Sequence, residues 1–308
     1  MNRARWWLSG LQVAVALAVV ALVARTVERN WAEFRALEVR LDLEPGWLAL
    51  AALAVFLAYA LYVEAWRRLL AGWGQHLRFD TAARVWTLAN LGRYIPGKIW
   101  SVTGLVVLAQ RAGVRGSAAA ASTVAFQALV LGTGAAVVAA ATPTATSALR
   151  LAGAFLVALA SLSVVVWKPA ARRLGKLMNA GAPLSPLPAS AVGFAGGFML
   201  VGWLAYGLAF WLFARGLVSS GELPLITAAG IFTFSYILGT LALFAPGGIG
   251  VRELALISLL TPALGSGGAL AVSVGSRVFL TLTEASATLL SVALARNSTP
   301  ESSSAESS

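Results

Sequence analysis

The chain has 308 residues, 59% hydrophobic and only 11% charged, with a net charge of +11 and a mean hydropathy of +0.80. Soluble domains average roughly 45–50% apolar and about 25% charged, so a water-soluble fold of this composition has no means of covering its apolar surface, and lipid must be the solvent. The absence of cysteine, a single histidine (His76) and two isolated aspartates (Asp42 and Asp80) exclude disulfides and thiolate chemistry and supply no metal-ligand cluster.

Trp6 to Ala24 is the first apolar run, preceded by Arg3 and Arg5, and its length without a small-x-small site after it predicts an uncleaved span. Arg25 to Glu44 carries both charge signs and sets Val27, Trp31, Phe34 and Leu41 near one helical face, the pattern of an interfacial segment. Trp47 to about Trp66 is the second span; Glu64 near its end has helix ion-pair spacing to Arg67 and Arg68, and Arg78 follows. Thr81 to Gln110 is apolar but interrupted by Asn90, Gly92, Arg93, Tyr94, Pro96, Gly97 and Lys98. Gly116 to about Ala141 is the third span, whose small-residue runs predict close helix packing. The uncharged link Thr142 to Ser147 leads to a fourth span, Ala148 to Trp167, ending in Lys168, Arg172, Arg173 and Lys176. Pro183, Pro186 and Pro188 mark a loop before the fifth span, Ala189 to about Ala214. Leu223 to about Leu264 is again apolar and broken, by Pro246, Gly247, Gly248, Gly250, Arg252 and Glu253. Gly268 to Ala295 is the last span, and the Ser- and Glu-rich tail 297–308 is expected to be disordered.

Cytoplasmic loops of membrane proteins carry the excess of lysine and arginine. With the N-terminus inside and each broken segment returning to its own side, Arg67, Arg68, Arg78, Arg111, Arg115, the Lys168–Lys176 cluster and Arg296 all fall inside. This predicts a multi-pass protein of the cytoplasmic (plasma) membrane with both termini cytoplasmic. The same rule accounts for the net charge, so no nucleic-acid partner is expected.

The two breaks are related. Ile95-Pro96-Gly97-Lys98-Ile99 and Ala245-Pro246-Gly247-Gly248-Ile249 share Pro-Gly-x-Ile, each with an aromatic (Tyr94 or Phe244) one position ahead, about 150 residues apart. Each break follows two spans and precedes one. Three full spans is an odd number, so the second half is expected to sit inverted, the plan of many secondary carriers. The expected fold is all-α and polytopic: one transmembrane domain, 1–296, with about six spans and two re-entrant broken helices, in inverted halves of about 6–141 and 148–296. Pro removes a backbone donor and Gly relaxes the helix, so Pro96, Gly97, Pro246, Gly247 and Gly248 are hinge candidates. Non-helical backbone at membrane depth persists only where it is buried in protein or lines a polar cavity. Two breaks meeting there would present helix N-termini and cations, which attract anions.

The run Asn90-Leu91-Gly92-Arg93-Tyr94-Ile95-Pro96-Gly97-Lys98-Ile99-Trp100, together with Pro246-Gly247-Gly248-Ile249-Gly250-Val251-Arg252-Glu253, resembles the transmembrane region of the lysylphosphatidylglycerol synthase/flippase family. The resemblance runs from the first span to the last. It implies a bacterial-type membrane protein that moves lipids or lipid-linked intermediates between leaflets, with Arg93, Lys98, Arg252 and Glu253 in the characteristic motifs. The full-length synthases carry a soluble catalytic domain after the membrane region, where this chain has a short Ser-rich tail, so lysyl transfer is not expected of it.

Arg93, Lys98 and Arg252 are the expected phosphate ligands. Glu253 reads as a lock, a gate or a substrate contact, and Asn90 as a ligand or a hydrogen-bond partner of freed backbone. Arg277 and Glu284, two turns apart on one face of the last span, read either as a substrate cation with a protonatable group or as ion pairs to other spans. No nucleotide-binding loop occurs, no cofactor or metal is expected, and no catalytic residue is assigned. The leading expectation is a lipid carrier for an anionic head group. The alternatives are a non-transporting subunit of a glycan or lipid synthase and an enzyme acting on lipid-linked sugars.

Overall fold

A computed structural model of the protein describes residues 43–94, 99–141, 187–218, 222–242 and 248–297, with residues 152 and 156. The first span, the interfacial stretch up to residue 42, most of the fourth span with its basic cluster, and the tail lie outside the described residues, as do Pro96, Gly97, Lys98, Pro246 and Gly247.

Among the described residues the fold is all-helical, with seven α-helices and no strand. They are α1 (Pro45–Ala71), α2 (Phe79–Leu91), α3 (Ile99–Arg111), α4 (Gly116–Ala141), α5 (Ala189–Leu217), α6 (Leu225–Leu241) and α7 (Val251–Asn297). Four of them, α1, α4, α5 and α7, are long and apolar enough to cross a membrane. Pro45 opens α1 at a position where its missing N–H leaves nothing unpaired. Glu64 near the end of α1 accepts from Arg67, and its Oε1 also accepts from Arg68 Nε at 2.7 Å. Gly265, at φ +68°, divides α7 into segments 251–264 and 266–297, close to where the sequence places the end of the second broken run.

Between these long helices stand two helical hairpins. α2 ends in a 3-10 turn, Gly92–Tyr94, and α3 returns against it. The two arms are antiparallel: a β-carbon at Gly92 would lie 2.8 Å from Ser101 N, and one at Gly104 would lie 3.7 Å from the Ala89 α-carbon. α6 and segment 251–264 of α7 form the second hairpin, where Gly239 faces both Gly248 and Arg252. Each hairpin arm of α2 and α3 has 13 residues, about 20 Å at the helical rise, against roughly 30 Å of hydrocarbon.

The long helices are held close by small residues. α1 and α5 pack antiparallel, with Gly202 under the Tyr62 ring, Gly216 against Trp47 and Leu48, and the Glu44 N–H donating to Gly216 O at 3.0 Å. A β-carbon at Gly207 would stand 2.4 Å from the Ala229 β-carbon, and one at Gly230 would stand 2.6 Å from that of Ala141. The small residues of α4 therefore serve packing, as their sequence pattern implies. They also admit two buried tryptophans, whose indole N–H groups donate to Ser122 Oγ (Trp66) and Val130 O (Trp203), each at 3.1 Å. The packing is reciprocal: α4 lies on α6, the first arm of the second hairpin, and α7 lies on α2, the first arm of the first hairpin. A hydroxyl pair, Thr87 with Ser291 at 2.9 Å, marks the second of these contacts.

Gly248 and Gly250 both take positive φ, +71° and +88°, but only Gly248 is crowded, with Gly239 backbone 2.8 Å from where a β-carbon would sit. Gly250→Ala is expected to cost only the left-handed penalty of about 1–2 kcal/mol. Gly248→Ala must also push the two hairpin arms apart, so its thermal unfolding midpoint in detergent is expected to fall clearly below that of Gly250→Ala. Equal midpoints would show that the arms are not in contact there.

Candidate functional site

The breaks end against a cavity of about 720 Å³ lined from both hairpins and from α1, α4, α5 and α7. This is within the range of pockets that take a small molecule or a head group. Asn90, Arg93 and Tyr94 reach it from the end of α2, Ser101 and Val102 from α3, Gly239 and Thr240 from α6, and Arg252 and Arg277 from α7. Of the residues expected at the site, Asn90, Arg93, Arg252 and Arg277 thus converge on one space. Glu253 and Glu284 stand behind them as ion-pair partners, Gly248 shapes the second break, and Lys98 and the two Pro-Gly pairs lie outside the described residues.

Arg93 joins the two halves of the chain. Its Nη2 donates to Glu284 Oε1 on α7, and its Nη1 to the Tyr236 hydroxyl on α6 at 3.4 Å. The other oxygen of Glu284 accepts from the Tyr94 hydroxyl at 2.7 Å, and that hydroxyl also meets Thr281 Oγ1 at 3.2 Å. The Glu284 side chain is only 3% exposed. A carboxylate so buried is sustained by a charged partner and by hydrogen bonds to both oxygens, and Glu284 has both.

The second pair ties segment 266–297 of α7 to the second break. Arg277 Nη1 donates to Glu253 Oε1 at 3.1 Å, and Glu253 Oε2 accepts from the Gly250 N–H at 2.7 Å. Glu253 is the third residue of α7, so this bond is the back-reaching half of a capping box. The carboxylate therefore ends the irregular stretch and starts the helix while holding Arg277. Of the readings open in the sequence for Arg277 and Glu284, ion pairing is the geometry found, to the first hairpin for Glu284 and to the other segment of α7 for Arg277.

Arg252 differs. It is 8% exposed, and its Nε and Nη2 are buried without a hydrogen-bond partner. Among the described residues no carboxylate lies within ion-pair distance. Its guanidinium sits over the rings of Phe232 and Tyr236, at 5.0 and 5.7 Å from their centroids. Ring faces stabilise a desolvated cation by about 2 kcal/mol, less than the hydration that burial removes. Arg252 is also the second residue of α7, where backbone N–H groups are unpaired and the helix dipole is positive. Among the described residues three guanidiniums stand against two carboxylates, and the one without a carboxylate partner is Arg252.

Much of the remaining wall is aromatic, which sequence reasoning missed. All five tyrosines of the chain, Tyr59, Tyr62, Tyr94, Tyr206 and Tyr236, line the cavity, with Trp86, Phe126 and Trp203. Their rings contact one another across helices: Tyr62 stacks on Trp86 at 6.4 Å, Tyr59 meets Tyr206 at 5.9 Å, and Trp203 meets Tyr236 at 5.3 Å. The signal in the sequence was the position of four of these tyrosines in the middle of apolar runs, away from the interfacial belt where amphipathic aromatics collect. The hydroxyl of Tyr62 is buried without a partner.

The buried pair makes a quantitative demand on stability. Glu284→Ala strands Arg93 and is expected to cost about 3–5 kcal/mol, whereas Glu284→Gln keeps an acceptor and costs less. The double variant Arg93→Met/Glu284→Leu is expected to lose much less than the two single losses added together, in a thermal-unfolding cycle. Simple additivity would mean that the pair is not coupled.

Residues 11–284 match the family described as Lysylphosphatidylglycerol synthase TM region, so the match takes in both hairpins and both ion pairs. Comparison with curated proteins found no match. The matched region covers nearly the whole chain, with its membrane-length helices and both broken hairpins, and the protein belongs to the lysylphosphatidylglycerol synthase transmembrane-region family, a family of membrane proteins involved in lipid handling.

Proposed function

We propose that this protein is a flippase-like carrier that moves an anionic lipid, or a lipid-linked intermediate, between the leaflets of the plasma membrane. The head group occupies the cavity between the two breaks while the acyl chains stay in lipid. The observation that carries this reading is Arg252, a buried cation on the cavity wall whose charge no carboxylate among the described residues neutralises. An unpaired guanidinium at membrane depth costs several kcal/mol, with estimates from about 2.5 to above 10. A lipid phosphate supplies the missing charge and accepts its hydrogen bonds.

Two further features support the reading. The short arms of the first hairpin favour a re-entrant segment over two crossings. The reciprocal packing of α4 on α6 and α7 on α2 favours inverted halves, in which the hairpins enter from opposite faces. In that arrangement α3 and α7 both begin at the breaks, and their positive N-terminal ends point toward the same cargo. Arg93, Arg252 and Arg277 bind the phosphate, Lys98 adds a cation at the first tip, and Asn90 and the tyrosine hydroxyls bind the rest of the head group. Pro96, Gly97, Pro246, Gly247 and Gly248 give the hinges. Transport requires no catalytic group, and none is assigned. A gradient or consumption of the cargo by a lipid or glycan synthase supplies the direction.

The test is transfer in liposomes holding the purified chain, with head-group-labelled lipids and a membrane-impermeant quencher. Anionic lipids are expected to cross faster than in empty liposomes. Arg252→Gln is expected to slow them about tenfold or more, the scale of one lost hydrogen bond to a charged group. No transfer of phospholipids or of polyprenyl-linked cargo would sink the carrier and favour a subunit that works only with a synthase.

A further inference from the structure

A cavity that releases its cargo must still accommodate Arg252. The guanidinium is desolvated, its Nε and Nη2 have no hydrogen-bond partner, and no carboxylate among the described residues pairs with it. The faces of Phe232 and Tyr236 carry it. Stacking tolerates sliding over a ring, so the edge of the guanidinium is free to turn toward the cavity that Arg252 lines. Tyr62, on the same wall, has a buried hydroxyl that also lacks a partner. Both groups donate hydrogen bonds, and what both lack is an acceptor.

We propose that Arg252, at the first turn of α7, is a binding site for a small inorganic monoanion, chloride, which occupies the site when no head group is present and which the head group must displace. Occupation by chloride follows from the surroundings of Arg252; displacement by cargo rests on the reading of this cavity as the head-group site. The cost of dehydration selects the ion. An anion entering a wall of tyrosines, tryptophans and Phe126 gives up part of its water, and that cost falls as the ion grows and rises steeply with its charge. A guanidinium is itself weakly hydrated, so the pair loses least when the anion is too. The cavity of about 720 Å³ leaves room for the ion with some of its water. Ring edges, which are the positive part of an aromatic, and the unpaired N–H groups at the start of α7 add to the attraction. The expected order is iodide, bromide, chloride and then fluoride, with sulfate a poor ligand.

One anion at a time then neutralises Arg252. Chloride weakens head-group binding by mass action, in proportion to its concentration once that exceeds its own dissociation constant. Screening weakens the attraction of any anion as salt is added, but it is constant at fixed ionic strength. Exchanging one sodium salt for another therefore separates displacement at the site from salt in general.

The experiment uses the full chain in a non-ionic detergent. Chloride binding is read directly from the broadening of the chloride NMR line, and lipid binding by calorimetry with dihexanoyl phosphatidylglycerol. Broadening is expected with the wild-type chain, suppressed by bromide more strongly than by fluoride or sulfate, and lost in Arg252→Gln. Replacing gluconate by chloride at constant ionic strength is expected to weaken lipid binding by up to about tenfold for a tenfold rise in chloride, the limit for one-for-one displacement. The order of the halides and the chloride dependence of lipid binding are read on the wild-type chain, so both remain decisive should Arg252→Gln not fold. If the wild-type chain does not broaden the line, if Arg252→Gln broadens it equally, or if lipid binds with the same affinity in chloride and gluconate, the inference is wrong while the carrier reading stands. If chloride binds in the expected order and no lipid or polyprenyl-linked head group displaces it, the anion site stands and the carrier reading fails.

Discussion

A guanidinium held inside a helix bundle solvated by lipid must meet an anion or destabilise the bundle, and Arg93 meets Glu284. That pair spans the two halves of the chain, from the turn after α2 to the middle of the last helix, and the rest of the site is arranged around it. It brings Tyr94 and Tyr236 to the same point, and with them both hairpins. Since a broken buried pair costs about 3–5 kcal/mol, the hairpin cannot leave α7 without another anion to replace Glu284.

The second break is built by different means. Glu253 caps the helix that begins there and holds Arg277, so one carboxylate satisfies a backbone donor and a buried cation together. Gly248 lets the chain turn at positive φ directly beneath Gly239. These contacts leave Arg252 at the first turn of the helix, aligned with the positive end of its dipole and stacked on two rings. Among the described residues the site thus has one cation bound to a carboxylate across the halves, one bound within α7, and one, Arg252, without a carboxylate partner.

The cavity depends on glycines outside its lining. Gly202, Gly207, Gly230 and Gly134 let α1, α4, α5 and α6 approach until side chains of one helix touch the backbone of the next. With the backbones so close, the remaining inward volume is filled by large aromatic rings, and the space they do not fill is the cavity. Among the described residues its wall is largely apolar and hydroxyl-bearing, and its charged side chains come from the hairpin ends and α7.

The sequence by itself determined the solvent, the helical class and, among the described residues, the approximate extent of the long helices, because each follows from local chemistry. Runs of apolar residues demand lipid, Pro and Gly interrupt helices, and Glu64 with Arg67 and Arg68 shows its pairing by spacing alone. It also marked Arg93, Arg252, Arg277 and Glu284 as charges inside apolar runs, with both substrate and structural roles open to them. Only the tertiary structure decided which cation pairs with which carboxylate, since Arg93 and Glu284 are 191 positions apart and no local periodicity connects them. The aromatic wall was hidden for the same reason: Tyr59, Tyr62, Tyr206 and Tyr236 each look like ordinary span residues until three helices face them inward together. The distinction between a paired and an unpaired arginine, on which the chemistry of the site turns, is a property of three-dimensional neighbours, because charge compensation depends on distance through space and not along the chain.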